Sequence, residues 1–188
     1  MASPNINYGF LEKLEGSELA GYVPSDNSGV TIGTGVDLSS KDVQGLTKLG
    51  VSPETIKLVT PYLGKVGSQA KNYLQQNPLK LAPEQVQELN SLIFDSSVNA
   101  LAKKFNASSS VKFEDLPPEF QTVLASVNYQ YGTGALEKMN FWQQMTNKRY
   151  DEALNNLRNF KDKYPTRRNK EADLFEQGII NQFLGSNP

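Results

Sequence analysis

Between Leu14 and Leu38 the chain reads LEGSELAGYVPSDNSGVTIGTGVDL, a stretch whose glycines, turn formers and acids leave few ways to fold. Just before it, Phe10, Leu11 and Leu14 recur at helical spacing and predict a short helix over Tyr8–Glu15 with one apolar face. Gly16 follows, and a glycine past the last periodic residue takes the left-handed conformation that stops a helix. Glu15 is thereby left on the final turn, beside the apolar surface of Leu11 and Leu14. The segments GYV, PSDNSG and VTIGTGVDL then read as strand, polar loop and strand, a small hairpin.

The second strand alternates. Thr31, Gly33, Gly35 and Asp37 share one parity, and Ile32, Thr34, Val36 and Leu38 the other. One face is mostly apolar; the opposite face carries a hydroxyl, a carboxyl and two positions without side chains between them. Glycine in a strand marks a bend or a close approach, so this face admits a bulky substrate near the backbone. A straight strand would hold Thr31 and Asp37 about 20 Å apart, too far for both to act on one bond, unless the glycines bend it.

With 188 residues the chain suffices for one full core, with a division expected near residues 82 and 83 into an N-terminal lobe and a helical C-terminal lobe. No apolar run reaches membrane-spanning length, and MASPNINYGF lacks the basic start and apolar core of a secretory signal. The protein is therefore expected to be made in the cytoplasm, with no membrane insertion. It has no cysteine and no histidine, which excludes disulfides, thiolate and histidine metal sites, and the Ser-His-Asp and Cys-His nucleophile systems. If the chain is an enzyme, carboxylates are its acid–base groups, and no metal or cofactor is expected. A formal net charge of −1 without a basic run argues against nucleic acid as a partner.

Downstream, Leu38 to Asp42 reads as a helix start with serine caps, Gly50 as a stop, and Ser52-Pro53 as a capped restart running to Pro61. Residues 61–81 are less decided, with a helical middle around Ala70 to Leu74. From Pro83 to Phe105 the spacing of Val86, Leu89, Ile93, Val98 and Phe105 predicts a long amphipathic helix. Further helices are expected from Asp115 to Tyr131, Phe141 to Met145, Arg149 to Phe160 and Thr166 to Leu184, the last interrupted at Gly178. Many helices and one small N-terminal sheet make the fold α+β.

Taken singly, Glu15 is a surface charge, Thr31 a strand residue, and Asp37 a cap for the helix after it. Taken together they fall into a pattern. Glu15-Gly16, Tyr22 seven residues after the glutamate, and Thr31-Ile32-Gly33-Thr34-Gly35 resemble the active-site region of phage-type lysozymes, glycoside hydrolase family 24. VLASVNYQYGTGAL, FWQQMTNKRYDEALNNL and PTRRNKEADLF are similar in order and spacing to that family's later helices, and Val36-Asp37 after the second glycine is closer to the pesticin-like muramidase domains and related phage endolysins.

The resemblance implies a lysozyme-like fold and a muramidase that cleaves the β-1,4 bond between N-acetylmuramic acid and N-acetylglucosamine. Glu15 would be the general acid, with Asp37 stabilising positive charge at the sugar or activating water and Thr31 holding that water. A water between two carboxyls implies inversion. Ordinary members carry their second acid two residues after the tyrosine, where this chain has Pro24, so Asp26 competes with Asp37 for that role. Arg167 matches an arginine near the family's catalytic glutamate, and Tyr129, Gln130, Phe141 and Asn156 fall at or near saccharide-cleft positions. The implied partner is the glycan strand of peptidoglycan, bound by a monomer that reaches the periplasmic wall after release or delivery. The role is a phage endolysin, or alternatively a bacteriocin or effector toxin with a cognate immunity protein. A non-enzyme alternative is a peptidoglycan-binding or virion structural protein that keeps the fold without turnover.

Overall fold

The computed structural model describes residues 4–185. The chain forms two compact units, Glu12–Ser96 and Met1–Leu11 with Ser97–Pro188. One boundary between them falls between Ser96 and Ser97, within the long helix. The N-terminal segment goes with the C-terminal residues because its backbone is bonded there: Asn5 N donates to Gln121 Oε1 at 2.7 Å and Asn7 N to Thr122 Oγ1 at 3.0 Å. No helix among the described residues is long and apolar enough to cross a membrane.

Helix α1, Tyr8–Glu15, ends as its sequence dictates: Gly16 has φ 75° and its N–H reaches Glu12 O at 2.9 Å. A three-stranded antiparallel sheet follows in the Glu12–Ser96 unit, ordered β1 (Glu18–Tyr22), β2 (Thr31–Gly33), β3 (Val36–Asp37). The run expected as one strand folds back on itself. Gly33 and Gly35 have φ values of 63° and 97°, which non-glycine residues rarely adopt, and the chain turns there. Thr31 pairs with Asp37 and Ile32 with Val36, so each residue meets one of its own parity and the alternation survives the turn. Ile32, Val36 and Leu38 accordingly lie in the core at 0–2% exposure, each burial contributing about 1.5–3 kcal/mol.

Leu38–Ser40 is a single 3₁₀ turn, and aspartates rather than serines cap here: Asp37 caps that turn, and Asp42 caps helix α2 (Val43–Leu49) by accepting from Gly45 N at 2.7 Å. Ser52 and Pro53 start helix α3 (Pro53–Val59) as expected. The undecided segment contains helix α4 (Gly67–Gln76), after which residues 79–81 run beside β1, with Gly21 N bonded to Leu79 O and Leu81 N to Leu19 O at 2.9 and 3.0 Å. Helix α5 (Pro83–Ser108) contributes Val86 and Leu89 to this unit's core.

The other unit is built around helix α6, Pro118–Tyr131, where every residue from Phe120 to Asn128 is buried. Its polar residues are bonded to their surroundings: Gln121 Nε2 to Leu116 O at 2.8 Å, Thr122 Oγ1 to Pro118 O at 2.8 Å, and Asn128 Nδ2 to Ser97 Oγ at 2.9 Å. Short helix α7 (Thr133–Leu136) leads to α8 (Asn140–Thr146), α9 (Tyr150–Arg158) and α10 (Pro165–Gly185). Gly178 does not interrupt α10. A Cβ there would lie 2.9 Å from Phe120 Cε1, so the glycine lets α10 approach α6, where Phe120 and Phe175 stack at 4.0 Å.

Candidate active site

Glu15 is the last residue of α1, and its Oε1 exposes less than 1 Å². The sheet beside it carries a row of side chains set by register alone. Tyr22 pairs with Thr31, and Thr31 with Asp37, so the three stand at directly opposed positions across three strands and share a face. Tyr22 ties the row to Glu15: burial first, then the charges of Glu18 and Glu15, raise the pKa of its hydroxyl. An acid at a helix end, a phenol, a buried hydroxyl and a second acid thus lie in one neighbourhood. In the sequence Tyr22 is only part of a pattern, and its opposition to Thr31 becomes visible when the hairpin register is known.

Asp37 is held by backbone. Its Oδ1 accepts from Ser39 N at 2.8 Å and its Oδ2 from Gly29 N at 3.2 Å. Thr31, 3% exposed, donates its hydroxyl to Gly29 O at 3.3 Å. Asp26 stands differently. It sits in the β1–β2 loop with its side chain 87% exposed and paired to Lys71 Nζ at 2.7 Å. The Lys71 hydrogen bond, aided by its charge, holds the Asp26 carboxyl below the usual range.

The glycine-lined face is narrower than the alternation suggests. A Cβ on Gly33 would meet Asn90 Oδ1 at 2.3 Å, because α5 packs against the hairpin there. Asn90, 2% exposed, accepts from both Thr34 N at 3.0 Å and Thr34 Oγ1 at 3.1 Å, fixing the turn between Thr31 and Asp37. Gly33 therefore accommodates a protein side chain rather than a ligand, whereas Gly35 is open. Asn90 went unread in the sequence, although a polar residue among the apolar positions Val86, Leu89 and Ile93 was its signal.

The remaining candidates lie in the other unit. Phe141 is fully buried against Phe160 and Phe175, with ring centroids 6.5 and 6.3 Å away. With Asn156, Tyr131, Lys138 and Asp162 it borders a cavity of about 460 Å³. Asn156 Nδ2 bonds Gln144 Oε1 at 2.9 Å. Tyr129, half-buried on α6, is not among the residues bordering this cavity, and Gln130 turns its Oε1 to Arg168. Arg167 Nε reaches Glu171 Oε1 at 3.1 Å, and its Nη2 donates to Ser126 O and Oγ at 3.1 and 3.0 Å. Fully buried Glu171 also takes Arg168 and the Ser126 hydroxyl. Arg168 Nε in turn bonds Asp162 at 2.8 Å, and Tyr131 donates to the same carboxylate at 2.6 Å. Burial pushes the Asp162 carboxyl up, but hydrogen bonds from Tyr131, Tyr164 N and Arg168 outweigh it and leave it below the usual range. Glu171 was missed in the sequence, although it follows Arg167 by four residues and Arg168 by three, the spacings that face each other on a helix.

No curated relative matches the chain by sequence. A crystal structure of a P22 lysozyme variant matches it with a TM-score of 0.58 at 17% identity, covering 91% of this chain and 97% of that one, which establishes a lysozyme-like fold. The family model described as pesticin, the bacterial toxin homologue of phage lysozyme, matches residues 5–151, including the α1 acid and the whole sheet. The chain therefore belongs to the pesticin family of phage lysozyme homologues and is a muramidase-type peptidoglycan hydrolase.

Proposed function

We propose that the enzyme hydrolyses the β-1,4 bond between N-acetylmuramic acid and N-acetylglucosamine with inversion, using Glu15 as general acid and Asp37 with Thr31 as the pair that holds and activates water. The observation that supports this reading is the register that sets Thr31 directly across from Asp37. In the reaction Glu15 gives its proton to the leaving glycosidic oxygen as the bond from the anomeric carbon breaks. Water bound between Thr31 and Asp37 attacks that carbon from the opposite face, and Asp37 takes the water's proton. Exchange with solvent then restores both acids. Tyr129, Gln130, Phe141 and Asn156 are proposed to serve the saccharide side of the site, and Arg167 to support Glu15 electrostatically.

In its biological role the protein is read as an endolysin acting as a monomer on the cell wall after release. The family description supports a second reading, a toxin whose producer carries an immunity protein. Digestion of purified sacculi tests the chemistry. Mass spectrometry is expected to find reducing N-acetylmuramic acid ends, and proton NMR the α anomer first. Anhydro ends would make the enzyme a lytic transglycosylase, and an initial β anomer would rule out inversion.

A further inference from the structure

Gly29 belongs to no strand or helix, yet its peptide groups touch both members of the water-holding pair. Its N–H donates to Asp37 Oδ2 at 3.2 Å, and its carbonyl accepts the Thr31 hydroxyl at 3.3 Å. The second contact has a chemical consequence. A hydroxyl has one proton to donate, and with that proton committed to Gly29 O, the Thr31 oxygen meets a water only as acceptor. A water between Thr31 and Asp37 then gives one proton to each and turns its lone pairs outward, the orientation a nucleophile needs.

Gly29 is itself locked in place. A Cβ there would stand 2.4 Å from Ser39 Cβ, 2.6 Å from Asp37 Oδ1 and 2.8 Å from Lys65 O, distances that real Cβ atoms do not tolerate. The turn before α4 closes on the same loop from outside: Gly67 N donates to Ser28 O at 2.9 Å, and a Cβ on Gly67 would approach Asp26 O to 2.5 Å. The segment between Leu63 and α4, the part of the chain least legible in sequence, is thus a brace behind the loop that carries Gly29.

We propose that Gly29, braced by the Lys65–Gly67 turn, is a positioning residue that fixes the Asp37 carboxylate and sets the polarity of the Thr31 hydroxyl, so that water is presented lone pair first. The proposal rests on Asp37 and Thr31 being the water-activating pair. Two variants test it beside the wild type and Asp37→Asn, on soluble peptidoglycan fragments with kcat and KM measured separately. Gly29→Ala introduces the collisions, with Gly134→Ala, where a Cβ meets nothing within 4 Å, as its control. Replacing Gly29 by glycolic acid turns the Ser28–Gly29 amide into an ester, which deletes the N–H that Asp37 accepts and makes Ser28 O a weaker acceptor for Gly67 N, so it removes the Asp37 contact and loosens the brace without the collisions of Gly29→Ala.

The ester variant is expected to lose about tenfold or more in kcat at unchanged KM, with an intact near-ultraviolet dichroism spectrum. Wild-type kcat in the folded ester variant, with Asp37→Asn inactive, would overturn the positioning role and leave the parent reading standing. A rise in KM at constant kcat would overturn it too. Full activity in Asp37→Asn would overturn the parent reading and this inference with it.

Discussion

Asp37 and Asp26 differ in what holds them, and that difference favours Asp37 as the proposed second acid. Two backbone N–H groups fix the carboxylate of Asp37, while Asp26 is secured by one exposed lysine at a loop tip. An exposed ion pair is screened by solvent and orders little, whereas two main-chain donors hold a carboxylate in one orientation. Asp37→Asn is therefore expected to lower turnover of sacculi by at least about a hundredfold, and Asp26→Asn by less than about fivefold. The reverse ranking would transfer the role to Asp26. At this scale the proposed residues can be named from the sequence, but their separation cannot. On a straight strand Thr31 and Asp37 are too far apart, and the bend that the pair requires is made by two left-handed glycines, Gly33 and Gly35, which return the strand upon itself. Parity could not reveal this, since a turn that pairs residues of equal parity leaves the alternation unchanged.

The hairpin depends on a neighbouring helix. Asn90 of α5 accepts both the main-chain and side-chain donors of Thr34, and its removal takes both of those buried hydrogen bonds away. Asn90→Ala is expected to cost about 1–3 kcal/mol, read as a lowered midpoint in urea denaturation with an unchanged m-value. Stability equal to wild type would show that the turn holds without α5. Elements with local signals were legible: α1 from its apolar spacing and Gly16, α3 from Ser52-Pro53, and α5 from its stripe. Gly178 misled because a glycine within a helix signals a break in sequence and close packing in three dimensions. Helix α6 carried only half its meaning, since its polar residues are buried by partners distant in the chain, such as Asn5 and Glu171.

For the whole molecule, stability is expected to depend on buried charge and on the absence of histidine. Glu171, fully buried with Arg167 and Arg168, is the centre of one ionic cluster, and Glu171→Ala is expected to cost about 3–5 kcal/mol by leaving buried cations short of a partner. Calorimetry with a loss under about 1 kcal/mol would contradict that. In the other unit, burial pushes the Glu88 carboxyl up, but hydrogen bonds from Thr55 Oγ1, Ser52 N and Ser52 Oγ outweigh it and lower it overall. Glu88 and Asp162, both lowered on folding, stabilise the protein above the ordinary carboxylate range and cease to do so as pH falls through their folded values. With no histidine to titrate, the thermal midpoint is expected to stay level from about pH 6 to 8 and to fall in acid, less steeply in Glu88→Gln. An acid at the end of α1 is proposed to drive the hydrolysis of peptidoglycan, and the first test is the release of reducing N-acetylmuramic acid ends from sacculi by wild type beside Glu15→Gln. Such ends are expected from the wild type and none above background from a folded Glu15→Gln variant; comparable release from both would show that Glu15 is not the acid.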